Sequence, residues 1–256
     1  MVEASASFCV VIFNLSQELS KYCDDAHASM ILLALECLAP AVGAAPPAAA
    51  DLAAYHAGHA VGLATLLRGT AAHAANGRLY VPKDVMQRHG ARVRAVLLGP
   101  EPPQDEASDA ALDEHELDAR RKRRKQPVST SERKAAKAAV AELCRAAQWH
   151  LSAADAVTRG CPPPGLQRAI NAQPVAGWYA ESAAAASGQV VRAPWRLAFL
   201  PVARAAQYFE ALEERNFNLH HADLWPSPAP IEQHRPLPFQ LKVLGAAWGL
   251  ASPFTV

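Results

Sequence analysis

The chain has 256 residues, 51% hydrophobic and 19% charged, so it holds enough apolar material for one sizeable core and is not a disordered tail. Lys and Arg number 25 against 24 Asp and Glu. That balance excludes a global field drawing the molecule onto nucleic acid or an anionic membrane, so any electrostatic partner must be met locally. Five cysteines (Cys9, Cys23, Cys37, Cys144, Cys161) are odd in number and widely spaced with no CxxC pair, which argues against a disulfide framework or a zinc knuckle and fits a reducing compartment.

The first twenty residues contain Glu3 and no basic residue, so they fit neither an amphipathic presequence nor a secretory signal. The apolar burst Phe8 to Phe13 is too short to span a bilayer, and no uninterrupted apolar run of about 18 residues occurs anywhere, so no membrane-spanning helix is expected. Alanine dominates and period-two alternation is nearly absent, so helical templates fit best. Leu15, Leu19, Tyr22, Ala26, Met30, Leu33 and Cys37 recur at spacings of three and four, which predicts one buried stripe on a helix ending before Pro40. After a linker through Pro46 and Pro47, a second helix is expected over Ala48 to Arg68, with Leu52, Tyr55, His59, Leu63 and Leu66 inward and Gly62 allowing a close approach.

Asn76-Gly77 marks a turn, Leu79 to Val81 an extended segment, and Pro82 the start of a short helix ending near Gly90. Residues 99–130 break the pattern. Prolines bracket an acidic run (Asp105, Glu106, Asp109, Asp113, Glu114, Glu116) followed by Arg120, Arg121, Lys122, Arg123, Arg124 and Lys125, which reads as a disordered charged insertion. Helix returns from Ser131 to Thr158, where Ser131-Glu132 can open it and Val140, Leu143, Ala147 and Leu151 form a stripe. Two further helices are expected, over Leu166 to Ala186 and around Phe199, Val202, Ala206, Phe209 and Leu212, with a last short one from Leu237 to Trp248.

The stretch Gly62 to Pro82 carries Leu67-Arg68 and then Gly77-Arg78-Leu79-Tyr80-Val81-Pro82, and upstream stands Leu19-Ser20-Lys21-Tyr22-Cys23-Asp24-Asp25-Ala26. In this order the segments resemble the squalene/phytoene synthase family. The resemblance implies an all-α, isoprenoid synthase-like helical bundle, a single domain over residues 1–256 whose N-terminal helices are missing here. In the enzymes, two aspartates after the arginine help hold magnesium on a prenyl diphosphate, because Mg²⁺ demands hard oxygen ligands. Here those positions are Gly69 and His73. A glycine offers no ligand and an imidazole is a poor one for Mg²⁺. Asp24-Asp25 lacks a second carboxylate at position 28, which is Ala28, so it reads as an acidic face.

Leu67-Arg68-Gly69-Thr70-Ala71-Ala72-His73, the stretch Tyr22 to Ser29, Pro82-Lys83-Asp84-Val85-Met86 with His89-Gly90, and Phe217-Asn218-Leu219-His220-His221 resemble one branch of that family, the mitochondrial complex I assembly factor six group. This implies a fold kept as a non-catalytic scaffold with no cofactor, peripheral on the matrix side of the inner membrane, working with complex I subunits or assembly intermediates. Tyr22, Arg68, His73, Arg78 and Tyr80 are then the expected vestigial pocket, with no catalytic residue and no metal. Arg68 would form a buried ion pair and Tyr80 would pack. His56 and His59 read as satisfied core histidines, and Cys144 and Cys161 as packed rather than reactive. The alternative is a working Mg²⁺-dependent prenyltransferase on isoprenoid diphosphates, with Arg68, Arg78 and Tyr80 in its pocket. The run Arg120 to Lys125 offers contact to anionic lipid rather than to nucleic acid.

Overall fold

The computed structural model describes residues 10–11, 16–75, 78–98, 128–165 and 176–221, with 224, 243, 245–246 and 252–254. The centre of the molecule is helix α3 (Ala48–Arg68), in which 16 of 21 residues are buried and Asp51, Thr65 and Arg68 are exposed. Its alanines make this possible, since small side chains let four partner elements approach one axis. Around it lie α1 (Ser16–Cys23), which runs through a π-helical segment (Asp24–Ala28) into α2 (Ser29–Val42), then α7 (Thr130–Thr158), α8 (Ala176–Ala186) and α9 (Val202–Glu214). The long α7 makes the most extensive contact with α3, and the short helices α5 (Lys83–His89) and α6 (Val93–Leu98) pack on the outside of α7. A further short helix, α4 (Thr70–Ala75), follows α3. Two short parallel strands, β1 (Val10–Val11) and β2 (Arg78–Leu79), pair Val10 with Arg78 and Val11 with Leu79. One continuous core links the elements from Leu19 to Phe254, with Leu35, Leu52, Phe199, Phe209 and Leu212 fully enclosed or nearly so. Each such side chain contributes about 1.5–3 kcal/mol by leaving water.

Several expectations hold. The helix over Ala48–Arg68 has the predicted bounds, and its stripe Leu52, Tyr55, His59, Leu63 and Leu66 is buried. The stripe Val140, Leu143, Ala147 and Leu151 of α7 is buried as well. Ser129, not Ser131, caps α7: its hydroxyl accepts from the Glu132 amide while the Glu132 carboxylate accepts from the Ser129 amide, a reciprocal box.

The first stripe is corrected. Met30 is 63% exposed, Leu33 is 56% exposed and Cys37 faces solvent, whereas Leu19, Cys23, Ala28, Ile31 and Leu35 are buried. The buried spacings are four, five, three and four. The five falls on the π-helical segment, whose wider turn adds one residue and rotates everything after it by about one position. A uniform 3.6-residue period therefore follows the wrong face beyond Asp24. The expected stop before Pro40 is also corrected, because the helix runs through Pro40 to Val42 and ends at Gly43, whose positive φ of 72° closes it with an N–H to Ala39 O bond of 2.9 Å. Proline there removes one bond of the exposed last turn and no more. Within the continuous run Ser16–Val42 an 18-residue window reaches a mean hydropathy of 1.4, long and apolar enough to cross a membrane by length and composition alone. Its buried side belongs to the core against α3.

The helix expected over Leu166 to Ala186 is described from Ala176, and Phe199 sits in a 3₁₀ turn (Trp195–Phe199) ahead of α9. The insertion over 99–127, the basic run Arg120 to Lys125, the Asn76-Gly77 turn, Leu15 and nearly all of Leu237 to Trp248 lie outside the described residues.

Candidate functional site

The polar chemistry of the interior gathers at the middle of α3. His56 and His59 lie one turn apart on it, and α1, the π-helical segment, α7 and α8 each bring a polar group to them. His59 Nδ1 lies 3.0 Å from the Tyr55 carbonyl, which only accepts, so Nδ1 carries the proton. Nε2 must then accept from the Ser20 hydroxyl at 2.8 Å. His56 meets His150 of α7 through their Nδ1 atoms at 3.0 Å and meets the Tyr179 hydroxyl of α8 through Nε2 at 2.9 Å. One Nδ1 of that pair carries the proton, so the tautomer of His56 sets whether Tyr179 donates or accepts. His59 and His150 stack nearly parallel at 4.4 Å, and Tyr55 packs against His56, His59, His150, Tyr179 and Trp178.

Burial holds all three imidazoles neutral. It pushes His56 down to about 3, with His59 adding repulsion, and His59 down to about 4. His150 falls well below the ordinary histidine value for the same reason. These are the satisfied core histidines the sequence predicts for His56 and His59, with His150 and Tyr179 as partners that no local signal announces.

The π-helical segment presses on the same place. A Cβ at Gly58 would collide with the Ala28 backbone, and one at Gly62 would stand 2.6 Å from Cys23 Sγ, so both glycines are required by a close crossing of helices. This is the approach that Gly62 predicts, made by the preceding helix. Asp24 Oδ1 is buried 3.4 Å from His59 Nδ1 without a hydrogen bond, because that N–H is used by Tyr55. Burial, then repulsion from Asp25, pushes the Asp24 carboxyl up to about 6. Asp25 is exposed and pairs with Lys21 at 2.7 Å. The pair Asp24-Asp25 is therefore half an acidic face and half a desolvated carboxyl.

The five expected pocket residues fall in separate places. His73 and Tyr80 come together, with ring centroids 4.5 Å apart, and Tyr80 packs against the core as expected. Tyr22 lies edge-on to His27 at 5.8 Å. Arg68 is exposed rather than in a buried ion pair, and Arg78 is exposed on β2. Cys144 is buried as expected, and Cys161 is exposed instead.

The donor set at the end of α3 does not suit magnesium. A Cβ at Gly69 would stand 2.7 Å from His73 Nε2, so the positions of the enzymes' aspartates hold one imidazole and no carboxylate. Among the described residues no group of three His, Cys, Asp or Glu is placed to hold a metal ion. Asp24 lies apart from these positions, beside His59 at the middle of α3.

Known proteins match part of this chain. The sequence profile of the squalene/phytoene synthase family matches residues 13–122, the stretch that contains α1 to α6. Over 83 residues the chain is 35% identical to the Dictyostelium discoideum protein named NADH dehydrogenase (ubiquinone) complex I, assembly factor 6 homolog, covering 32% of this chain and 22% of that protein. Over 74 residues it is 36% identical to the Bos taurus protein named NADH dehydrogenase (ubiquinone) complex I, assembly factor 6, covering 29% of this chain and 21% of that protein. The matched stretch thus spans about a fifth of the length of these relatives. No solved structure matches. Family and branch agree with the resemblance seen in Leu67 to His73 and Tyr22 to Ser29, and the described residues form the all-α bundle it implies.

Proposed function

We propose that this protein is a non-catalytic assembly factor for mitochondrial respiratory complex I, built on a degenerate squalene/phytoene synthase fold and working at the matrix face of the inner membrane with complex I subunits or assembly intermediates. The observation that carries this reading is the 35–36% identity to two proteins named as complex I assembly factors, beside Gly69 and His73 at the positions where the family resemblance implies metal-binding aspartates. The interior supports it from the other side. The buried histidines around α3 bond to other side chains of the core, in Ser20 to His59 and His150 to His56 to Tyr179, which suits a rigid scaffold. Peripheral membrane contact is supported by the exposed Met30, Leu32 and Leu33 of α2 and by the sequence Arg120 to Lys125, where each cation near an anionic surface is worth about 1 kcal/mol.

The test is loss of the gene followed by native electrophoresis of mitochondrial membranes with an in-gel NADH dehydrogenase stain. Complex I should be lost with early subcomplexes accumulating, and a variant carrying Arg68→Ala and His73→Ala should restore it. Normal complex I in the absence of the protein would end the assembly reading. Mg²⁺-dependent release of diphosphate from farnesyl or geranylgeranyl diphosphate by the purified protein would return the prenyltransferase alternative.

A further inference from the structure

A cleft of about 590 Å³ opens between α6, the N-terminal half of α7 and the turn Asn216 to His220. Its volume lies in the range of ligand pockets, about 300–1,000 Å³. The floor is apolar, formed by Ala95 and Val96 of α6, Val140 of α7, Phe217 and Leu219. One rim is cationic. Arg133, Lys134 and Lys137 all line the cleft from the first turns of α7, and among the described residues no carboxylate lines it. Lys134 and Lys137 are one turn apart, and among the described residues neither is ion-paired. Like charges at this spacing repel, and an anion between them relieves the repulsion.

The opposite wall is held in an uncommon shape. Asn216 and Phe217 are consecutive non-glycine residues with φ of 50° and 56°, the left-handed region that a phenylalanine rarely adopts. Two bonds fix this wall: the Phe217 amide donates to Leu212 O at 2.9 Å, and His220 Nε2 donates to Val96 O at 2.8 Å, tying the turn to α6. The strained turn thereby presents the Phe217 side chain to an apolar floor that faces Lys134 and Lys137.

We propose that this cleft binds a single-chain anionic amphiphile, with its alkyl tail along the floor beside Val96, Val140 and Phe217 and its carboxylate or phosphate head at Lys134 and Lys137. An apolar slot alone would take any hydrophobic molecule; the one-signed rim selects an anionic head. The site is separate from the end of α3 and does not depend on the assembly reading.

The test uses the full chain and the fluorescent fatty acid cis-parinaric acid, titrated at low salt and followed by its emission increase on leaving water. Saturable binding is expected. The double variant Lys134→Glu and Lys137→Glu changes only side chains on the cationic rim and should weaken binding by about tenfold or more. Ala138→Trp, a half-exposed lining position, should block the floor and abolish binding, with circular dichroism and thermal midpoint confirming the fold of both variants. Dodecanoate and dodecyl phosphate, tested separately, distinguish the head group: at least one should displace the probe, and dodecanol should compete much more weakly. Non-saturable binding, equal competition by dodecanol, or charge-reversed protein that binds as tightly as the parent would each overturn the proposal.

Discussion

The two halves of α3 put polar side chains to opposite uses. In the middle, His56 and His59 are buried, matched to His150, Tyr179, Ser20 and the Tyr55 carbonyl, and held neutral. At the C-terminal end and just beyond it, Arg68 is exposed, Gly69 has no side chain and His73 leans on Tyr80. A polar residue in the core must find a partner or cost the stability of the fold, while one at the rim is free to lose its function without structural penalty.

His56→Ala is the largest expected effect. It leaves Tyr179 Oη and His150 Nδ1 without a partner and opens a cavity at the centre, which should cost about 3–5 kcal/mol in urea or thermal unfolding. A loss below about 1 kcal/mol would break the contrast by showing that the junction is not a structural unit.

Acidification sharpens the same point. His56 and His59 titrate at about 3 and 4 when folded and near the ordinary histidine value when unfolded. Between those values the unfolded chain binds more protons, so stability is full above the unfolded pKa and is lost as pH falls toward the folded one, by roughly 2 kcal/mol per histidine at pH 5 relative to pH 7. Asp24 acts in the opposite sense: its folded pKa is raised to about 6, so its contribution is greatest in acid and fades as pH rises through that value. Its half-exposed carboxyl makes this the smaller influence, and the net slope should be a loss of stability on acidification, read as a falling thermal midpoint. A flat profile from pH 7 to pH 5 would mean that the histidines are not buried neutral.

Arg68→Ala is the smallest. The side chain is exposed on the last turn of α3, so stability should change by less than about 0.5 kcal/mol. A loss comparable with His56→Ala would show that both halves of α3 carry the fold.

Local patterns made much of this legible. The bounds of α3, the stripe of α7 and the short helix between Pro82 and Gly90 follow from periodicity and from proline and glycine punctuation, all of which act within a few residues. Where one residue shifts the phase, the same logic misleads, as at Met30 and Leu33. The small residues Ala28, Gly58 and Gly62, which permit that close crossing, were the available signal for the π-helical turn. Helical periodicity ordered the segments and the motifs Leu67-Arg68 and Gly77 to Pro82 marked the family, because both are written in neighbouring residues.

Only the tertiary structure decided that His56 meets His150, 94 positions away, and Tyr179, 123 positions away. It also decided that the expected pocket residues separate, and that Lys134, Lys137 and Phe217 share one cleft. Such contacts depend on how whole helices pack, and helix packing is set by the summed shape of surfaces that no short stretch of sequence contains.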